Sequence, residues 1–306
     1  MTPDGLLQVA AVLTVLFSVL TALDTRQHYI ELFSHFRPQY LVGSLLLLVV
    51  FAIRRRAIYS LLLVVALTIN ASYVLPWFGD SEAATGDTRL KFLYANVLST
   101  NRDHGRLLDL IDSERPDIIF LQEMSAHWLE ALQPLESDYP FIYSAAREDN
   151  FGIAMWSRLP LASATHVDSP PLGYPTIIAT ARIGGTVLTL ISTHPMIPLG
   201  RDNFAARNAQ LQSVAEIVAQ TSDEVLLLGD LNASVWDRHY RHFEASTGLR
   251  NARRGNGILP TWPTFMPVAM IPIDHVLVSS RIGIIDIKTG PRIGSDHLPL
   301  IVTVVL

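Results

Sequence analysis

The sequence predicts an α+β protein, two packed mixed β-sheets flanked by helices in a four-layer α/β sandwich, preceded by N-terminal transmembrane helices. Three observations lead there. Long uncharged apolar runs are confined to the first 78 residues. Beyond them, strand-like runs outnumber helix-like ones and alternate with them. A Gly-Gly pair joins two of the strand-like runs, which marks a hairpin and argues against a purely parallel sheet.

The apolar runs come first. Leu6 to Leu23 is 18 residues without a charge, bounded by Asp4 and Asp24. Tyr40 to Ile53 is a shorter uncharged run of 14, followed by Arg54, Arg55 and Arg56. Ala57 to Phe78 is the third, interrupted mainly by Asn70 and Ser72. A helix needs about 20 apolar residues to span a hydrocarbon core. The second run reaches that length if it starts at Pro38, which a helix tolerates in its first turn. Its terminal arginines extend it further by snorkelling. A secretory signal peptide is the competing reading, but the first run lacks a basic start and two more runs follow it. Short Lys/Arg-rich loops stay in the cytoplasm. Arg54–Arg56 inside then puts the loop holding Asp24, Arg26, Glu31 and Arg37 outside, with everything after Phe78. The expected location is an inner or plasma membrane, with the body periplasmic or extracellular.

Residues 1–78 are thus expected to be a membrane anchor, 79–88 (GDSEAATGDT) a polar linker, and 89–306 the functional domain. In that domain Leu90–Val97 reads as a strand. Gly105–Glu114 carries Leu107, Leu108, Leu110 and Ile111 at helical spacing. Asp117–Leu121, Phe151–Trp156, Thr176–Ile183 and Thr186–Ser192 read as strands, the last two joined by Gly184-Gly185. Ala205–Ala219 reads as a helix. Glu224–Leu228, Asp274–Val278, Ile282–Ile287 and Leu300–Val305 complete the strands.

Composition narrows the function. The chain is 49% hydrophobic and 17% charged, low in charge for a purely soluble enzyme. Of 23 Lys/Arg and 28 Asp/Glu, five and three lie up to Phe78, so the body carries 18 and 25, a net of −7. That gives no support for sequence-blind binding of nucleic acid, which depends on surplus cations. There is no cysteine, which excludes disulfides, thiolate catalysis and Cys-ligated zinc.

Polar residues capable of chemistry recur at the ends of the apolar strands. Asn96 lies near the end of KFLYANV, Glu123 ends DIIFLQE and His194 ends LTLISTH. Asp230 and Asn232 end VLLLGDLN, Asp274 opens DHVLV, and Asp296 and His297 precede PLIVTVV. Strand ends are where sheet enzymes gather catalytic groups from distant parts of the chain. Each residue alone has an ordinary explanation as a solvated or turn residue; the ensemble carries the argument. The pieces YANV, DIIFLQE, GIAMWSRLPL, LISTHP, LLLGDLNA, PTW, IDHVLV and GSDHLPL resemble the endonuclease/exonuclease/phosphatase superfamily of DNase I-like proteins, over about Leu90 to Leu306.

The resemblance implies a metal-dependent phosphoesterase. Glu123, Asn96 and Asp296 would serve a Mg²⁺ or Mn²⁺ ion. Asp230 would position or deprotonate water, and Asn232 would hold a phosphate oxygen. His297, oriented by Asp274, would donate to the phosphate. His194 would stabilise the phosphate or protonate the leaving group. Some members place an Asp two residues after the motif Asn, where this chain has Leu98. The substrate is a phosphoester left open between nucleic acid, phospholipid and small phosphate ester, with the bilayer as second partner. Two other classes compete. A non-catalytic receptor would have lost the Glu or the Asp-x-Asn, and both are present. A channel finds no acidic residue in the three uncharged runs. His239 and His242, at i and i+3, lack a third zinc ligand and read as surface. Arg201 and Arg207 read as substrate contacts or a solvated helix face. LPTWPTFMPVAMIP, 259–272, reads as a loop near the site or at the bilayer, with Trp262 packed inward.

Overall fold

Three long apolar helices lead the chain. The computed structural model describes residues 2–23, 27–79 and 86–306. Asp24, Arg26 and residues 80–85 of the expected linker therefore lie outside the described residues. Helix α1 (Pro3–Leu20) starts where Thr2 Oγ1 accepts from Gly5 N. A short helix α2 (His28–Phe33) leads into α3 (Arg37–Ile53), whose first turn holds Pro38, and α4 (Ala57–Val74) follows. The stretches Pro3–Leu20, His28–Ile53 and Ala57–Phe78 are long and apolar enough to cross a membrane, with mean hydropathies of 1.8, 1.7 and 2.0. Ala11, Phe51 and Leu63 pack between the helices, whereas Leu46, Ile58 and Leu61 stay exposed. That is the pattern of helices hydrophobic all round, which belong in lipid or a large core. Asp4 pairs with Arg54, tying the start of α1 to the end of α3. At the other end Arg37 is buried and donates to Asn70 Oδ1 and Ser18 O.

The rest of the chain folds as strands and helices in alternation. Strand β1 (Arg89–Asn96) is followed by α5 (His104–Glu114), β2 (Ile118–Gln122), α6 (Ala126–Ala131), β3 (Phe141–Ala145) and β4 (Ile153–Ser157). Then come β5 (Leu161–Ser169), β6 (Tyr174–Ile183), β7 (Thr186–Thr193), α7 (Arg201–Ala219) and β8 (Glu224–Asp230). Helix α8 (Arg238–Thr247), β9 (Arg250–Asn251), β10 (Asp274–Val278), β11 (Gly283–Thr289) and β12 (Leu300–Val305) complete it. Among the described residues they form two six-stranded sheets, β11-β12-β1-β2-β4-β3 and β5-β6-β7-β8-β10-β9. Both are mixed. β1–β2 and β7–β8 are parallel, joined by crossovers through α5 and α7, and the other pairs are antiparallel.

Successive side chains on a strand face opposite sides, and both sides here are covered. Phe92, Tyr94, Phe120 and Met155 of one sheet meet Ala179, Leu190, Leu228 and Val276 of the other in a shared core. The alternate residues Leu93, Ile119 and Leu121 pack outward on α5 and α6 through Leu107, Leu110 and Trp128. Ile191, Leu227 and Leu277 pack outward on α7 and α8 through Leu211, Val214 and Phe243. Two-sided burial explains why these strands read as continuous apolar runs. Each buried Leu, Ile or Phe contributes about 1.5–3 kcal/mol. The expected four-layer α/β sandwich is the observed architecture. The Gly184-Gly185 hairpin is present too, with φ of 55° and 88°, the left-handed values that such a turn needs.

The end of α4 belongs to this packing. Val74 and Trp77 join the core beneath α7 and α8, and Trp236 Nε1 donates to Tyr73 O. His35 Nδ1 lies 2.8 Å from Ser234 Oγ, Glu31 Oε1 lies 2.7 Å from His239 Nδ1, and Gln39 Nε2 donates to Met270 O. One end of the helical bundle is thus bonded to the loops that follow β8 and precede β10.

Candidate functional site

The two sheets present their strand ends side by side. Asn96 ends β1, Glu123 follows β2, and Asp296 and His297 precede β12. From the other sheet, His194 follows β7, Asp230 ends β8 and Asp274 opens β10. Asp274 stands directly opposite Asp230 in the antiparallel pair.

Asp230 is the hub. Its Oδ1 accepts from Asn232 N at 2.8 Å. Its Oδ2 faces Asn96 Nδ2 at 3.5 Å, His194 Nε2 at 3.6 Å and His297 Nε2 at 3.7 Å. Asn96 Nδ2 also donates to Glu123 Oε1 at 3.0 Å, and Ser99 N donates to Glu123 Oε2 at 3.0 Å. Asn96 Oδ1 accepts from Leu98 N, which leaves that oxygen one free lone pair. Asn232 Nδ2 donates to Pro195 O, fixing the loop after His194. Asp296 Oδ2 accepts from Trp262 Nε1 at 2.9 Å, while its buried Oδ1 has no hydrogen-bond partner among the described residues. Leu98, Glu123 and Asn232 all have left-handed φ, at 60°, 62° and 48°. Such values cost a non-glycine residue about 1–3 kcal/mol and tend to cluster where function needs them.

Electrostatics follow from burial. His297 Nδ1 lies 2.9 Å from Asp274 Oδ2. Burial works against a charged imidazole, but Asp274, Asp230 and Asp296 outweigh it and hold His297 at about 10. The ring is therefore a cation at neutral pH, set between two opposed carboxylates that would otherwise repel. Burial pushes Asp274 up, and the charge and hydrogen bond of His297 more than reverse it, so its pKa lies below the ordinary carboxylate value. Burial first, then the negative Asp274 and Asp230, drive Tyr94 well above the usual phenol value, so its hydroxyl stays a donor. His275 is different. Burial and then Arg253 lower it to about 3, so it stays neutral. It bonds Ala233 O and Asn251 as a structural group.

Several supporting residues stand out only once the two sheets are packed together. Gln122 Nε2 donates to Thr193 O, and its Oε1 accepts from Asp230 N, stapling one sheet to the other beneath the site. Tyr94 Oη reaches both Gln122 Oε1 and Asp274 Oδ1 across the shared core. A Cβ on Gly229 would lie 2.1 Å from Thr193 O, so the Gly of GDLN is required by backbone approach. Arg207 is neither a substrate contact nor solvated. It is fully buried, with Nη2 3.0 Å from Asp237 and Nη1 3.3 Å from Asn232 O. Arg201 is exposed. His242 is exposed, whereas His239 is half-buried against Glu31. Glu31, Asp237 and His239 bring ligand-type atoms within 4.8 Å of one another. Asp237 is already engaged by Arg207 and caps α8, which makes the cluster a docking contact. Trp262 is partly buried and holds Asp296, a role beyond packing.

The model of the Endonuclease/Exonuclease/phosphatase family matches residues 93–297. The chain belongs to this family, whose members are typically metal-dependent phosphoesterases and nucleases. Solved structures agree on the fold. The D. rerio TDP2 structure complexed with a single-strand DNA product has a TM-score of 0.62 at 18% identity, over 72% of this chain and 100% of that one. The human Nocturnin catalytic domain with bound sulfate gives 0.57 at 20% identity, over 72% and 96%. A family protein from Bacteroides thetaiotaomicron gives 0.58 at 17%, over 71% and 97%. No curated protein matches the sequence.

Proposed function

We propose that the chain is a membrane-tethered phosphoesterase that hydrolyses phosphoester bonds with Mg²⁺ or Mn²⁺. The observation that carries this reading is the convergence of three side chains on Asp230 Oδ2 beside Glu123. The residues fit a hard cation. Glu123 and Asp296 are oxygen donors, and the buried, unpartnered Asp296 Oδ1 awaits a positive partner. Glu123, Asp296 and the free lone pair of Asn96 would hold the ion, which would supply charge neutralisation on the phosphate. Asp230, Asp274 and His297 are also close enough for ligation. The bond between His297 and Asp274 already occupies two of them, Asp230 Oδ1 accepts from Asn232 N, and the three serve better as a proton-handling set.

Asp230 accepts the proton of the attacking water. His297, cationic in the resting state, donates to the phosphate oxygen on which charge develops. His194 protonates the leaving oxygen, and Asn232 orients a phosphate oxygen. Phosphodiester hydrolysis needs these contributions from groups already in position. The test is turnover by the purified full chain on bis(4-nitrophenyl) phosphate, 4-nitrophenyl phosphate, single-stranded DNA and phospholipid, with and without a chelator. Metal-restored hydrolysis of any of these supports the reading. Undiminished hydrolysis after chelation, or none at all, removes it.

Asp274 is expected to act through His297. Asp274→Asn should lower kcat less than His297→Ala, and the double variant should be little worse than His297→Ala alone, because residues acting as a unit are not additive. Losses that multiply in a double-mutant cycle would separate the two residues.

The anchor reading gives residues 1–78 to the membrane and 89–306 to the hydrolase. Arg54–Arg56 would lie on the cytoplasmic side and the catalytic part on the other. A reporter active only outside the cytoplasm, fused after Leu306, is expected to be active. A cytoplasmic signal would reverse the orientation.

A further inference from the structure

We infer that two apolar loops beside the site enter the bilayer surface and that the substrate is a membrane phospholipid, cleaved at its headgroup phosphodiester. This rests on the hydrolase and anchor reading above and specifies the substrate class for the same site.

Proximity is the first ground. Ser234 lies four residues past Asp230 and meets His35, in the His28–Ile53 stretch that is apolar enough to cross a membrane. Four residues span at most about 14 Å of extended chain. The catalytic carboxylate therefore sits within roughly that reach of the anchor's outer end. The same end bonds Met270 through Gln39, and Phe78 lies against Gly257. The rim of the site and the membrane surface are thus continuous.

Exposed apolar side chains are the second ground. Phe265 is 70% exposed and Val268 81%, on the loop whose Val268 O accepts from Gln39. Trp262 anchors that loop to Asp296. Ile197 and Leu199 are 45% and 66% exposed, on the loop that starts at His194 and is fixed by Asn232. Single exposed apolar residues are ordinary. Here they occupy two loops that flank one polar site at the end of a membrane bundle. That end also exposes Tyr29 and Phe78, aromatics of the kind that settle at a headgroup layer. The body's net charge of −7 disfavours a polyanionic nucleic acid.

In the reaction, water adds to phosphorus and the bond from phosphorus to the leaving alcohol's oxygen breaks. That oxygen takes a proton, and an alcohol and a phosphomonoester result.

The test uses the full chain in vesicles of phosphatidylethanolamine and phosphatidylglycerol, with bis(4-nitrophenyl) phosphate and single-stranded DNA assayed in the same preparation. Vesicle phospholipid should be hydrolysed. The variant Leu199→Ser/Phe265→Ser/Val268→Ser should turn over vesicles about 10-fold more slowly or worse, since replacing apolar side chains by hydroxyls weakens lipid engagement. Its turnover of the soluble diester should hardly change. Hydrolysis of the soluble diester or DNA without lipid hydrolysis overturns this inference and leaves the hydrolase reading intact. Equal losses on lipid and soluble diester overturn the role of the loops. No turnover of any substrate ends both.

Discussion

Asp230→Asn and His297→Ala are each expected to lower kcat by about 10²–10⁴-fold, the usual loss when a general acid or base is removed. Asp230 Oδ2 is where Asn96, His194 and His297 converge, and an amide there accepts no proton. Asn keeps the shape and can still accept from Asn232 N through its oxygen, so the fold should survive. His297→Ala removes the only cationic ring bonded to Asp274 among the described residues. Groups that act mainly in the transition state lower kcat and kcat/KM together. Steady-state kinetics on the best substrate checks this. A change confined to KM would make Asp230 a binding group instead.

The largest expected effect on stability is at Arg207. Arg207→Met leaves Asp237 buried without its guanidinium and should cost about 3–5 kcal/mol, as breaking a buried pair does. In the intact protein burial pushes Asp237 up, but Arg207 and further partners hold it at about 2. A depressed carboxylate contributes stability that is present above its unfolded pKa of 3.8 and lost as pH falls through about 2. In the variant that gain disappears, and the unpaired carboxylate is easiest to tolerate when protonated. The destabilisation should therefore be largest near pH 7 and shrink toward pH 4. Urea unfolding in detergent, followed by tryptophan fluorescence, measures it. Arg207→Met/Asp237→Asn removes the unpaired charge and keeps a side-chain oxygen to cap α8, so it should recover part of the loss; no recovery would mean that the Arg207 contact with Asn232 O dominates.

The sequence carries the layers and the hub residues for a physical reason. Asp230, Asn232 and His297 are polar groups at or just beyond the ends of apolar strands, so the change in polarity marks both the strand end and the candidate site. Gln122 and Tyr94 are concealed by the same logic. Tyr94 lies within the buried part of β1 and Gln122 is the buried last residue of β2, where a polar side chain shows no signal until its partner on the other sheet is known. Helix α8 is short and polar, and only the Asp237 cap betrays it. Strand β5 is an edge strand that is mostly exposed, so it lacks the apolar run that marks the others. Arg207 reads as a surface or substrate group because arginine is rarely buried without a partner, and Asp237 lies thirty residues away in sequence. Helix α1 ends at Leu20, where Thr21 and Ala22 turn and Leu23 bends the chain away. Three more uncharged residues continue the run without continuing the helix.

The Mg²⁺ dependence of phosphodiester turnover by the chelated full chain, compared with Glu123→Gln, tests metal-dependent hydrolysis directly. The substitution keeps the size of the side chain but removes its charge, and its amide can accept only one of the two bonds that Asn96 Nδ2 and Ser99 N donate to Glu123. No turnover is expected until Mg²⁺ or Mn²⁺ is added, with a Mg²⁺ requirement roughly 10–100-fold higher in Glu123→Gln. Full turnover in the presence of the chelator, or the same Mg²⁺ dependence in both proteins, would contradict it.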